Sequence, residues 1–140
     1  MGLLDKIRKK KTEEQTLTKK AKVKEATDLE KICADDKESY EALRESMFLD
    51  PRKLDVSMKD SVEKAKSFEK QGKKVEARIW YEVAGGLGIY GGDVAKVKEY
   101  FSKCKELSPN SAYPILEIPE KAVGKAQEYY RKYLKKEEKL

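Results

Sequence analysis

The chain has 140 residues, 41% of them Asp, Glu, Lys or Arg, with no histidine and two cysteines, a length suited to one small domain with a tail. Without histidine there is no Ser-His-Asp or Cys-His nucleophile pair and no imidazole acid or base, and no apolar run approaches the roughly 18 residues that cross a bilayer. Residues 1–24 hold nine Lys/Arg against three acids and the remainder holds 23 of each, so the whole formal charge of +6 belongs to an N-terminal arm.

Residues 1–26 read as a basic flexible arm. From residue 9 onward it is Lys, Thr, Glu and Gln with Leu17 and Val23 almost alone as apolar groups, too little burial to offset the entropy of ordering. Thr27-Asp28-Leu29-Glu30 is a capping box. It opens a predicted helix to about residue 49, with Leu29, Ile32, Cys33, Tyr40, Leu43 and Met47 at three- and four-residue steps in one stripe broken by Asp36, and a stop at Asp50-Pro51. Ser57 then caps a second helix, whose Met58, Val62, Ala65 and Phe68 share a face and which ends at Gly72. A third helix runs from about Lys73 through Ala77, Trp80, Tyr81, Ala84 and Leu87, losing about 1 kcal/mol relative to alanine at each of Gly85, Gly86 and Gly88.

Asp93 caps a fourth helix with Val94, Val97, Phe101, Cys104 and Leu107 on one side, closed by Ser108-Pro109-Asn110. After a looser stretch to Ile118, Pro119 fits the first turn of a fifth. There Ala122, Val123, Ala126, Tyr129, Tyr130, Tyr133 and Leu134 form the last stripe, and residues 135–140 are a charged tail. Five helical periods without strand alternation predict an all-α domain of about five helices over residues 27–134. Short connections at Gly72 and at Gly91-Gly92 imply antiparallel neighbours.

Cys33 and Cys104 are too few for a metal cage and form no C-x-x-C pair. They are expected to be buried thiols of a reducing compartment, with a disulfide between them left open. The start of the chain has no secretory signal, so a cytoplasmic protein is expected. One asparagine and three glutamines beside so many Lys and Glu give a thermophile-like composition.

Gly86-Leu87-Gly88-Ile89-Tyr90-Gly91 matches the dinucleotide fingerprint G-x-G-x-x-G, but that chemistry needs a strand-to-helix turn and an acid at the end of a second strand. Here the helical pattern surrounds it. Glycines that let helices approach closely are the expected meaning, and no cofactor is expected.

Ala65, Phe68, Gly72, Ala77, Tyr81 and Ala84 resemble a tetratricopeptide (TPR) helix pair in their alternation of small and aromatic residues. Ile79 to Asn110 resembles it again, with Trp80-Tyr81 opening a helix, Gly91-Gly92-Asp93 at the turn, and Val97, Phe101, Cys104 and Pro109 after it. The three helices over about 57–107 are also similar to the MIT (microtubule interacting and trafficking) domain, and the TPR-like core covers about 57–110. The resemblance implies a non-catalytic adaptor that binds a helix or peptide of another protein in an inter-helix groove. Lys64, Lys70, Lys73, Lys74 and Arg78 are the candidate partner-binding residues under that reading. A homodimer through the Tyr-rich last helix stays open.

The arm supplies the alternative. Leu3, Leu4 and Ile7 beside Arg8, Lys9, Lys10 and Lys11 make a short basic amphipathic turn suited to an anionic membrane surface. The same charges would contact the phosphates of a nucleic acid without reading its sequence.

Overall fold

Capping chemistry sets the ends of the helices. The computed structural model describes residues 28–135, and over that span the protein is all-helical, six helices packing on one another with no strand. Residues 28–32 are helical (α1). Then follow α2 (Lys37–Ser46), α3 (Met58–Lys70), α4 (Lys74–Gly91), α5 (Val94–Leu107) and α6 (Pro119–Tyr133), with one-turn 3-10 helices at Pro51–Lys53 and Pro114–Glu117. The arm, Thr27 of the capping box and residues 136–140 lie outside the described residues.

The single helix expected over 27–49 is two helices. Asp36 ends the first stretch by capping α2: its carboxylate accepts from the Ser39 amide at 3.1 Å and the Ser39 hydroxyl at 2.6 Å. The apolar spacing survives the break because both pieces bury on the same body, Leu29, Cys33 and Leu43 being at most 3% exposed. The other caps are where the sequence puts them. Ser57 Oγ accepts from Asp60 N and Asp93 Oδ1 from Lys96 N, each at 3.1 Å, and Pro119 is the first residue of α6.

Both turns flanking α4 use one device. At the first, Lys73 N donates to Phe68 O and Gly72 N to Glu69 O; at the second, Asp93 N donates to Gly88 O and Gly92 N to Ile89 O. This paired Schellman pattern needs a left-handed residue just past the helix. Gly72 (φ 75°) and Gly92 (φ 71°) supply it. The two- and three-residue connections lay α3 and α5 antiparallel on either side of α4, which packs along both.

The glycines expected to weaken α4 do not end it; the helix runs on to Gly91. The space they leave is filled from other elements. A Cβ on Gly85 would stand 2.6 Å from Phe101 Cε2, one on Gly88 would stand 3.3 Å from a Val97 methyl, and one on Gly86 would collide with the Phe48 ring. Packing thus replaces the helix propensity that glycine lacks.

Helix α6 joins the N-terminal helices to this three-helix layer. Lys121 Nζ lies 3.0 Å from Asp36 and Lys125 Nζ 2.9 Å from Asp35. Gln127 Nε2 donates to the Ile89 and Tyr90 carbonyls at 2.6 and 3.0 Å, and Tyr130 Oη to the Phe48 carbonyl at 2.6 Å. One core results, from Leu29 to Tyr130. The stretch before α6 is less loose than expected: its 3-10 turn buries Ile115 completely.

Asp36 gives a pH prediction. Hydrogen bonds from the Ser39 hydroxyl and amide, with Lys121 adding charge, hold its carboxyl below the ordinary carboxylate range against the opposing effect of burial. A folded value depressed in this way stabilises the protein above the unfolded value near 4 and ceases to do so as pH falls through the folded one. Asp36→Ala is expected to lower the thermal midpoint by several degrees at pH 7. The gap between the two proteins' melting temperatures should begin to narrow as pH falls below about 4 and keep narrowing through the depressed folded value, and a gap independent of pH would contradict the assignment.

Candidate functional site

The surface that stands out lies on the N-terminal half of α4. Val75 and Ile79 are 60% and 47% exposed, and a spacing of four residues puts them on one helix face. Single exposed apolar residues are ordinary, whereas adjacent ones form a patch. Half-buried Val83, then Gly86 and half-buried Tyr90, continue the same face along α4. Its far end is covered by Phe48, whose ring rests on Gly86.

The candidate basic residues fall in three places. Lys70 in the last turn of α3, Lys73 in the connection and Lys74 opening α4 gather at the exposed α3–α4 turn. Lys73 Nζ stands 5.9 Å from the centroid of the Phe68 ring. Lys64, six residues before Lys70 on α3, places its ammonium 4.4 Å from the centroid of the half-buried Trp80 ring, a cation-π geometry.

Arg78 points elsewhere. Its Nη1 donates to Ser108 Oγ and Ser111 Oγ at 3.4 and 3.3 Å, and its Nε lies 3.9 Å from Glu82. Glu82 also accepts from Tyr113 Oη at 2.7 Å, and Ser108 and Ser111 share a 2.6 Å contact. Burial and the Glu82 carboxylate both push the Tyr113 phenol above its ordinary value, so it acts here as a donor. Arg78 therefore ties α4 to the end of α5 and is not grouped with Lys70, Lys73 and Lys74.

The glycine fingerprint lies entirely within α4, where Gly86 and Gly88 meet side chains of other elements. It has neither the preceding strand nor the turn that a pyrophosphate needs. Among the described residues no group of three or more His, Cys, Asp or Glu is placed to hold a metal ion. Both cysteines are free and buried. Burial pushes the Cys33 thiol up to about 11 and that of Cys104 to about 12, which keeps both protonated and unreactive at neutral pH.

Sequence reasoning missed one concavity beside this face. A cavity of about 420 Å³ lies between α2 and residues 47–54, lined by Leu29, Leu43, Met47, Phe48, Leu49 and Leu54 with Tyr40, Arg44 and Lys53 among its polar groups. The one sequence signal nearby was Gly86, which does not line the cavity but marks the close approach of Phe48 to α4. Which side chain approaches is a long-range fact. No helix of the described residues is long and apolar enough to cross a membrane. No protein-family model, curated protein or solved structure matches the chain.

Proposed function

We propose that the chain is a non-catalytic interaction module of TPR-like or MIT-like build that binds a helix or peptide of another protein along α4. The observation that carries this reading is the exposed pair Val75 and Ile79. It begins an apolar face that the chain's own elements cover only farther along. Lys70, Lys73 and Lys74 at one end of that face, with Lys64 over Trp80, would orient a partner more than hold it, because exposed charges contribute modestly to affinity. The apolar contacts are the expected anchors.

A second reading is favoured by one fact of the sequence: the whole net charge lies in residues 1–24. Under it, the arm holds the protein to nucleic acid or an anionic membrane surface by charge alone.

One set of proteins tests both. The full chain, residues 28–135, and the full chain with Val75→Asp and Ile79→Asp are compared for protein capture and for binding to RNA and to phosphatidylserine vesicles. The first reading expects the double variant to lose, by tenfold or more, proteins held by both other forms while keeping their melting temperature. Capture that ignores the two aspartates would refute it. The second expects salt-sensitive binding to RNA or vesicles that disappears without the arm; equal binding by residues 28–135 would refute that.

A further inference from the structure

The connection between α2 and α3 bears on how the apolar face of α4 is used. Residues 47–57 leave α2 with the Met47 amide still bonded to Leu43 O, make one 3-10 turn at Pro51–Lys53, and reach the Ser57 cap of α3. Met47 and Leu49 pack partly buried against the core, and the segment's other holds on the rest of the protein are few in kind. The Phe48 ring rests on Gly86, the Phe48 carbonyl accepts from Tyr130 Oη at 2.6 Å, Pro51 is buried, and Arg52 Nη1 lies 3.5 Å from Leu134 O. Behind them lies the 420 Å³ cavity, bordered by Phe48, Leu49 and Leu54 themselves. The segment is thus closely fitted on its α4 side and incompletely packed on its α2 side. Local hydrogen bonds, half-exposed apolar groups and missing packing mark a unit that opens before the remainder unfolds.

Opening would uncover a groove of unusual shape. Gly86 leaves a flat floor where a side chain would otherwise stand, and the face running to Ile79 and Val75 is already open. An aromatic ring fits that floor, as Phe48 demonstrates.

We propose that residues 47–57 are a strap that opens as a unit, and that the glycine-floored groove beneath it receives an aromatic side chain of a partner segment in place of Phe48. This deepens the protein-binding reading and rests on it. The strap lengthens the binding face from the Val75–Ile79 patch to the whole of that side of α4, and it competes with the partner from within the chain, at the high effective concentration of a tethered ligand.

Two measurements on the full chain test it. In hydrogen exchange, backbone amides of residues 48–57 should exchange at least tenfold faster than those in the middle of α4 and α5, and Gly86→Ala, which places a methyl where the Phe48 ring lies, should raise that rate a further tenfold while α5 keeps its protection. Exchange of the strap in step with α4 and α5 in both proteins would overturn the proposal. In the second measurement a fluorescent synthetic peptide of residues 44–57 is titrated into the wild-type chain, Phe48→Ala, and Phe48→Ala with Gly86→Ala. Saturable binding to Phe48→Ala, at least tenfold tighter than to either other protein, is expected. No binding to Phe48→Ala, or equal binding to the double variant, would overturn it. If only the capture experiment with Val75 and Ile79 fails, the peptide still binds and the fault lies with the protein-binding reading; if the peptide also fails, the groove itself is lost.

Discussion

Tyr130→Ala is expected to lower the unfolding free energy by about 3–5 kcal/mol, the range for removing a large aromatic from a core. Tyr130 is fully buried, it meets Tyr90 edge-on with ring centroids 4.9 Å apart, and its hydroxyl donates to the Phe48 carbonyl. Truncation therefore removes buried apolar area, an aromatic contact and a hydrogen bond at one position, where α6 meets both α4 and the connection after α2. Tyr130→Phe keeps the ring and leaves the carbonyl without its donor, for a loss nearer 1 kcal/mol. Urea denaturation followed by circular dichroism separates the two cases. Equal losses for the two variants would mean that the hydroxyl, and not the ring, holds this junction.

The second large effect is at the α4–α5 contact. Phe101→Ala should cost about 3–5 kcal/mol as well, since the ring is 1% exposed and fills the space above Gly85. The informative partner is Gly85→Ala. In the wild-type protein its methyl is forced against Phe101 and should destabilise by about 1–3 kcal/mol through overpacking, partly offset by the roughly 1 kcal/mol that alanine gains over glycine in a helix. With Phe101 already removed, the same change has room and should stabilise. A double-mutant cycle in urea reads the coupling directly. Additive effects would show that the ring and the glycine are not fitted to each other.

What could be read from the sequence divides by range. Ser57, Asp93, Gly72 and Pro119 carry signals that act within three or four residues, and each stands where its chemistry requires. Asp36 is also a local cap and visibly breaks the apolar stripe, but Leu29, Cys33 and Leu43 keep helical spacing across the break, so the stretch reads as one helix. The ion pair of Asp36 with Lys121, which lies far along the chain, was not legible at all. Glycines 85, 86 and 88 announced a close approach without naming what approaches, since Phe48, Phe101 and Val97 reach them from other elements. The candidate basic residues suffered from the same blindness. Lys64 and Arg78 look alike in sequence, yet one lies over Trp80 and the other is drawn to Ser108 and Ser111. The burial of Cys33 and Cys104 was legible; the exposure of Val75 and Ile79 was not, because their apolar character fits an inward-facing helix equally well.

The meeting of α6 with the N-terminal helices also sets an order of events during synthesis. The ion pairs of Asp35 and Asp36 and the Tyr130 hydrogen bond to Phe48 all join residues made early to residues made late, whereas α3, α4 and α5 contact their sequence neighbours through two short turns. On a translating ribosome the three middle helices can therefore assemble while α2 and Phe48 still wait for α6, an interval on the order of a few seconds at ordinary elongation rates. For that time the phenylalanine cover over the glycine floor of α4 lacks the Tyr130 hydrogen bond that fixes it in place.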